Sequence, residues 1–169
     1  MAKEIAKEMT ENNNKGEWKT VQFHPSYNYD DFIRGIITKP TEDGKGVIYE
    51  VKNKILAEFA EEAKQNPDQK YVLIIDEINR ANLPAVFEEL IYALEYQGEK
   101  GESMYSHPKD GQELELPENL YIIGKMNTAD RSAGHINYAI RRRFAFITLK
   151  SNKDIIRFFY KEKKTKRKT

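Results

Sequence analysis

Two adjacent carboxylates, Asp76 and Glu77, end the apolar run YVLII at residues 71–75. A short β-branched and aliphatic run of this kind reads as a strand buried on both faces, as in the middle of a parallel sheet. Acids at the end of such a strand are costly to bury unless something positive meets them. Open α/β sheets bind their ligands at the carboxyl ends of strands. The pair therefore suits a Mg²⁺–nucleotide complex, the pattern known as Walker B. The same residues also fit a core strand whose last positions have reached solvent and begin a loop.

A second short apolar run, residues 120–124, leads into the polar stretch MNTADRS at 126–132. Two such strands lying side by side put the acids and Asn127 on one sheet edge, a geometry that suits holding a water against a phosphate. Asn127 and Thr128 serve equally well as turn residues that satisfy loop backbone groups. Arg141, Arg142 and Arg143 follow a short helical pattern at 136–142, and a basic helix C-terminus suits the helix dipole. The three histidines are widely spaced and form no metal-ligand pattern, which leaves His24 a structural role.

The elements that must position these groups follow from periodicity. Residues 2–9 are good helix formers, with Ile5 and Met9 on one face. An Asn-rich turn at 11–16 leads to a strand at 18–23. Asp30 or Asp31 is expected to cap a short helix running through Ile36, with a surface turn at 38–46 and a brief strand at 46–51. An amphipathic helix then reaches Lys64, placing Ile55, Phe59 and Ala63 in register. Residues 84–96 read as a helix with Pro84 in its first turn. Asp110-Gly111 marks a β-hairpin between larger elements. A last strand is expected at 144–149, a helix at 154–160, and a disordered tail at 161–169, where six of nine residues are basic. Strands alternating with helices imply a parallel sheet.

Bulk composition narrows the classes. The chain has 169 residues, 39% hydrophobic and 33% charged, with a net charge of +1. That is one globular domain without a global bias toward nucleic acid or membranes. The absence of cysteine excludes thiol catalysis, thiolate metal sites and disulfides. No run approaches the roughly 18 apolar residues that cross a bilayer, and acids and lysines stand where a signal peptide needs an apolar core. A cytoplasmic protein is expected.

Three stretches, IIDEINRAN (74–82), IIGKMNTADRS (122–132) and YAIRRRFAF (138–146), resemble the McrB-type AAA+ NTPases, motor subunits of modification-dependent restriction systems; VQFHPSYNYDDFIRGI (21–36) resembles them too. The resemblance covers residues 2–160. It implies a P-loop NTPase (AAA+) α/β fold, a three-layer sandwich with a mostly parallel sheet. By position, it implies that Asp76 holds Mg²⁺ through a water and Glu77 orients or activates the attacking water. Asn127 would stand beside the γ-phosphate with Thr128 at the nucleotide, Asp130 in the water-positioning set and Arg131 ordering the loop. Arg142 and Arg143 would reach a neighbouring subunit's nucleotide, since a permanently charged planar guanidinium suits a transferring phosphoryl group. A hexamer-like homo-oligomeric ring, a nuclease partner subunit, and DNA contacts made through other domains are implied as well. The cofactor would be Mg²⁺ with GTP or ATP.

No G-x-x-x-x-G-K-[ST] occurs: Gly44-Lys45-Gly46 runs into Val47. The resemblance places Met1 just inside the helix that follows that loop, so the first strand, the Walker A loop and the C-terminal lid are expected to lie outside residues 1–160. That first strand would sit between the strands at 120–124 and 144–149, and losing it would leave both with unpaired edges. The isolated chain is thus expected to be marginally stable or aggregation-prone. Three positions depart from the family pattern: Asn137 replaces an acid, Gly134 weakens a helix start, and Lys125 stands where a small or apolar residue is usual.

The expected function is part of a nucleoside-triphosphatase driving DNA translocation in a 5-methylcytosine-specific restriction system. The alternative is a non-hydrolysing fragment that joins rings of full-length relatives. A nucleic-acid module built on the tail has only short, non-specific basic charge behind it.

Overall fold

The computed structural model describes residues 1–11, 16–87, 90–109, 111–127, 136–150 and 152–153. At its centre is a parallel three-stranded sheet, in the order β1 (Glu17–Gln22), β4 (Tyr71–Asp76), β7 (Leu120–Gly124). Tyr71 stands opposite both Glu17 and Leu120, and Ile75 opposite both Val21 and Gly124. β4 is therefore paired along both edges, as its unbroken apolar sequence predicts.

Alternation along β4 sorts its side chains into two layers. Val72 and Ile74 face α1 (Ala2–Glu11), packing with Ala6, Met9 and Trp18. Tyr71, Leu73 and Ile75 join the larger cluster on the other face, with Phe59, Val86, Phe87 and Leu90. That cluster draws on α3 (Ile55–Gln65), α4 (Leu83–Phe87) and α5 (Leu90–Glu95). Helix, sheet and helices form three layers. The face of α1 is rotated from the expected one: Ala6 and Thr10 are buried, whereas Ile5 is 41% exposed.

Both crossovers carry a hairpin. Between β1 and β4, β2 (Arg34–Pro40) pairs antiparallel with β3 (Val47–Asn53). Between β4 and β7, β5 (Lys100–His107) pairs with β6 (Gly111–Glu115), as the Asp110-Gly111 signal predicts. The helix expected to run through Ile36 is shorter. α2 spans only Tyr29–Phe32, and its cap is Asn28, which exchanges hydrogen bonds with Asp31 in a capping box. Chain reversal at Ile33 frees the β-branched Ile36-Ile37-Thr38 to pair with β3.

Arg34 joins the hairpins. Its side chain is buried, and its guanidinium donates to Asn53 Oδ1 (2.8 Å) and to the carbonyls of Glu113 (2.8 Å) and Gly111 (3.2 Å). Asn119 Nδ2 likewise donates to the carbonyls of Ala63, Asn66 and Gln69, closing the end of α3 against the start of β7.

The strand expected at 144–149 is not formed. After α6 (Tyr138–Arg141) the chain runs irregularly, with Phe144 against the core but Phe146, Ile147 and Leu149 exposed. The physical reason is the lack of a ladder: no described strand flanks this stretch, and the outer edge of β7 is likewise unpaired among the described residues. The helix expected at 154–160 and the tail at 161–169 lie outside the described residues.

Candidate active site

Asp76 is the last residue of β4, held by Phe23 N–H donating to its carbonyl (2.9 Å). Its carboxylate Oδ1 accepts from Glu77 N–H (3.0 Å) and from Lys125 Nζ (2.8 Å). Glu77 sits at φ 53°, ψ 40°, in the left-handed region, and turns the chain into a single 3-10 turn, Ile78–Arg80. A non-glycine residue there stores strain, which is found most often at functional corners.

Main-chain bonds lace the exits of β4 and β7 together. Lys125 N–H donates to the Ile75 carbonyl (2.8 Å), and Ile78 N–H donates to the Lys125 carbonyl (2.9 Å). Ile78 packs directly over Gly124, where a Cβ would lie 2.9 Å from Ile78 Cδ1 and would push that side chain aside. Asn79 is buried and donates through Nδ2 to the Asn127 carbonyl (3.4 Å). Its Oδ1 finds no partner among the described residues, an unusual state for a buried polar atom. Asp76, Glu77 and Asn127 thus share the carboxyl edge of the sheet, with Asn127 exposed beyond β7. Thr128, Asp130 and Arg131 lie outside the described residues.

The two arginines have different surroundings. Arg143 is spread over its own chain: Nε donates to the Ile91 carbonyl (2.8 Å), with further bonds to the Ala139 carbonyl and to Glu95. Its side chain is 8% exposed, whereas that of Arg142 is 53% exposed and meets Glu95 at 3.2 Å. Asn137, where an acid was expected, caps α6 by accepting from Ile140 N–H (2.9 Å), a task Asn performs as well as Asp.

Two open cavities of about 680 and 580 Å³ lie away from this edge, one beside Arg34, Lys64 and Lys100 and the other beside Pro67 and Asn119. Neither is lined by Asp76, Glu77 or Asn127; the two acids are half-buried and Asn127 is exposed. Among the described residues no cluster of three carboxylates or imidazoles could hold a metal unaided.

Sequence reasoning missed Arg34 and Asn119. Their partners are backbone carbonyls distant in sequence, which no local pattern reports. The role of Lys125 was missed for the same reason, although its departure from the family pattern had marked the position.

A parallel sheet flanked by helices, with acids at the central strand's carboxyl end, is an arrangement compatible with an AAA-type α/β fold. Residues 1–144 match the family model of the AAA domain, dynein-related subfamily. The chain is 46% identical to the type IV methyl-directed restriction enzyme EcoKMcrB subunit of Escherichia coli (strain K12), over 82% of this chain and 29% of that protein. It is 32% identical to the type II restriction enzyme BsuMI component YdiS of Bacillus subtilis (strain 168), over 54% of this chain and 30% of that protein. A crystal structure of a candidate ATPase from Cytophaga hutchinsonii aligns at TM-score 0.47 and 16% identity, over 76% of this chain and 32% of the other, too distant to carry weight. The chain belongs to the AAA domain family, dynein-related subfamily, and is McrB-type within it. It spans less than a third of the length of the two restriction relatives. No described helix is long and apolar enough to cross a membrane.

Proposed function

We propose that this chain carries the water-and-metal half of an NTPase site, working by Mg²⁺-dependent hydrolysis of GTP or ATP. The observation that carries the reading is the juxtaposition of Asp76 and Glu77 with Asn127 at one sheet edge. The donor set fits the ion: Mg²⁺ is bound through one or two carboxylates completed by waters and phosphate oxygens. Asp76 offers such a carboxylate, and among the described residues no donor reaches its Oδ2. Bound there through a water, Mg²⁺ would neutralise charge on the phosphates.

Glu77, in the strained corner one residue on, is the group to orient or deprotonate the attacking water. Asn127 offers an exposed amide for a phosphate oxygen or that water, with Thr128, Asp130 and Arg131 completing the loop. Arg142 is the better placed of the two arginines to reach a neighbouring subunit's nucleotide, because half its side chain is exposed. In the whole protein we infer a hexamer-like ring with a nuclease partner subunit. Its turnover would drive translocation along DNA in a 5-methylcytosine-specific system, with the DNA held by other domains.

The test joins this chain to a relative's strand and G-x-x-x-x-G-K-[ST] segment and measures Mg²⁺-dependent release of phosphate from GTP and ATP. Turnover that survives Glu77→Gln would sink the reading. A second reading, a non-hydrolysing fragment that assembles with full-length relatives, is favoured by the outer β7 edge, unpaired among the described residues, and the exposed Phe146, Ile147 and Leu149.

A further inference from the structure

The ammonium of Lys125 meets Asp76, the carboxylate we assign to Mg²⁺. Nζ lies 2.8 Å from Asp76 Oδ1. Gly124 pairs with Ile75, so Lys125 stands just past the end of the neighbouring strand beside Asp76, and its backbone is fixed on both sides by bonds to Ile75 and Ile78. Among the described residues it is the one cation within ion-pair distance of Asp76. The side chains are 52% and 34% exposed, so the contact is wetted and exchangeable.

We propose that Lys125 is a resident counter-ion of Asp76 that competes with a divalent cation, so that this chain holds Mg²⁺ more weakly than the same edge without the lysine. The inference rests on the reading of Asp76 as the metal-side carboxylate. One ammonium supplies a single charge on a flexible four-carbon stem and no coordination geometry. It satisfies the carboxylate while the cation is absent and gives way when a doubly charged ion arrives. An exposed pair of this kind is worth at most a modest free energy. The penalty on cation affinity is therefore about two- to five-fold, or about 0.4–1 kcal/mol at about 1.4 kcal/mol per tenfold.

The test titrates the full chain with Mn²⁺ alone at constant ionic strength and follows paramagnetic broadening of the amide resonances of residues 75–78. Lys125→Met should reach half-broadening at about two- to five-fold lower Mn²⁺ than wild type. Lys125→Arg should stay near wild type, as should Lys45→Met, which removes the same net charge from the exposed turn between β2 and β3. Adding Asp76→Asn to Lys125→Met should abolish the broadening. Equal midpoints for wild type and Lys125→Met, with Asp76→Asn still abolishing the effect, overturn the counter-ion and leave Asp76 as the metal carboxylate. Broadening that persists after Asp76→Asn overturns both readings, and no broadening in any variant overturns the counter-ion. Lys125→Gln supplies the same comparison if the methionine variant does not fold.

Discussion

The corner after β4 and the stretch after α6 both carry charged residues next to apolar ones, and they end differently. At the first, neighbours on both sides fix the chain: β1 and β7 flank β4, and Ile78 seats over Gly124. At the second, Phe144 packs on the core and the chain beyond it runs irregularly, with Phe146, Ile147 and Leu149 at 43%, 82% and 65% exposure. Their sequences are comparably apolar, but only the first has a backbone ladder on each side. Hydrophobicity nominates a strand; a partner's unpaired N–H and C=O groups make it one.

The contrast can be broken most sharply at Glu77. In a domain completed with a phosphate loop, Glu77→Gln is expected to slow hydrolysis by about 10²-fold or more with nucleotide affinity unchanged, read by phosphate release and equilibrium binding. Next come the two apolar segments themselves. Leu73→Ala in β4 is expected to cost about 2–5 kcal/mol, while Ile147→Ala should stay within about 0.5 kcal/mol, both read by chemical denaturation. Comparable losses would mean that 144–149 is packed after all. Within the arginine pair, Arg143→Ala is expected to cost about 1–3 kcal/mol, because it strips partly buried bonds to Ile91 and Ala139. Arg142→Ala should cost no more than about 1 kcal/mol. The last effect concerns pH. Burial, and then the Asp31 carboxylate, push the Tyr27 phenol up to about 12. A raised folded-state value favours the neutral phenol, so its contribution is full below pH 10 and lost as pH rises toward 12. A urea midpoint falling across that window, and falling less in Tyr27→Phe, checks the sign.

How much could be read beforehand depended on the range of each signal. β4, β7, α3 and the β5–β6 hairpin were legible because their cues are local: an apolar run, a helical stripe, Asp110-Gly111. The β2 strand was obscured by nearby acids that resemble helix caps, although its partner lies close in sequence, with Pro40 opposite Val47 and Ile36 opposite Val51. The acids of the site were visible as types, and their edge followed from strand direction. What met them was not visible, since Lys125 reaches Asp76 only across the sheet. Arg142 and Arg143, adjacent and chemically identical, could not be told apart until packing buried one and left the other in solvent.

Glu77 is the one described non-glycine residue with positive φ. Glycine would relax that corner by about 1–2 kcal/mol, yet only the carboxylate can take a proton from water. Durability and reactivity thus ask for different residues at a single position. A redesign guided by stability alone would change this residue early, and would return a sturdier chain without the proposed base.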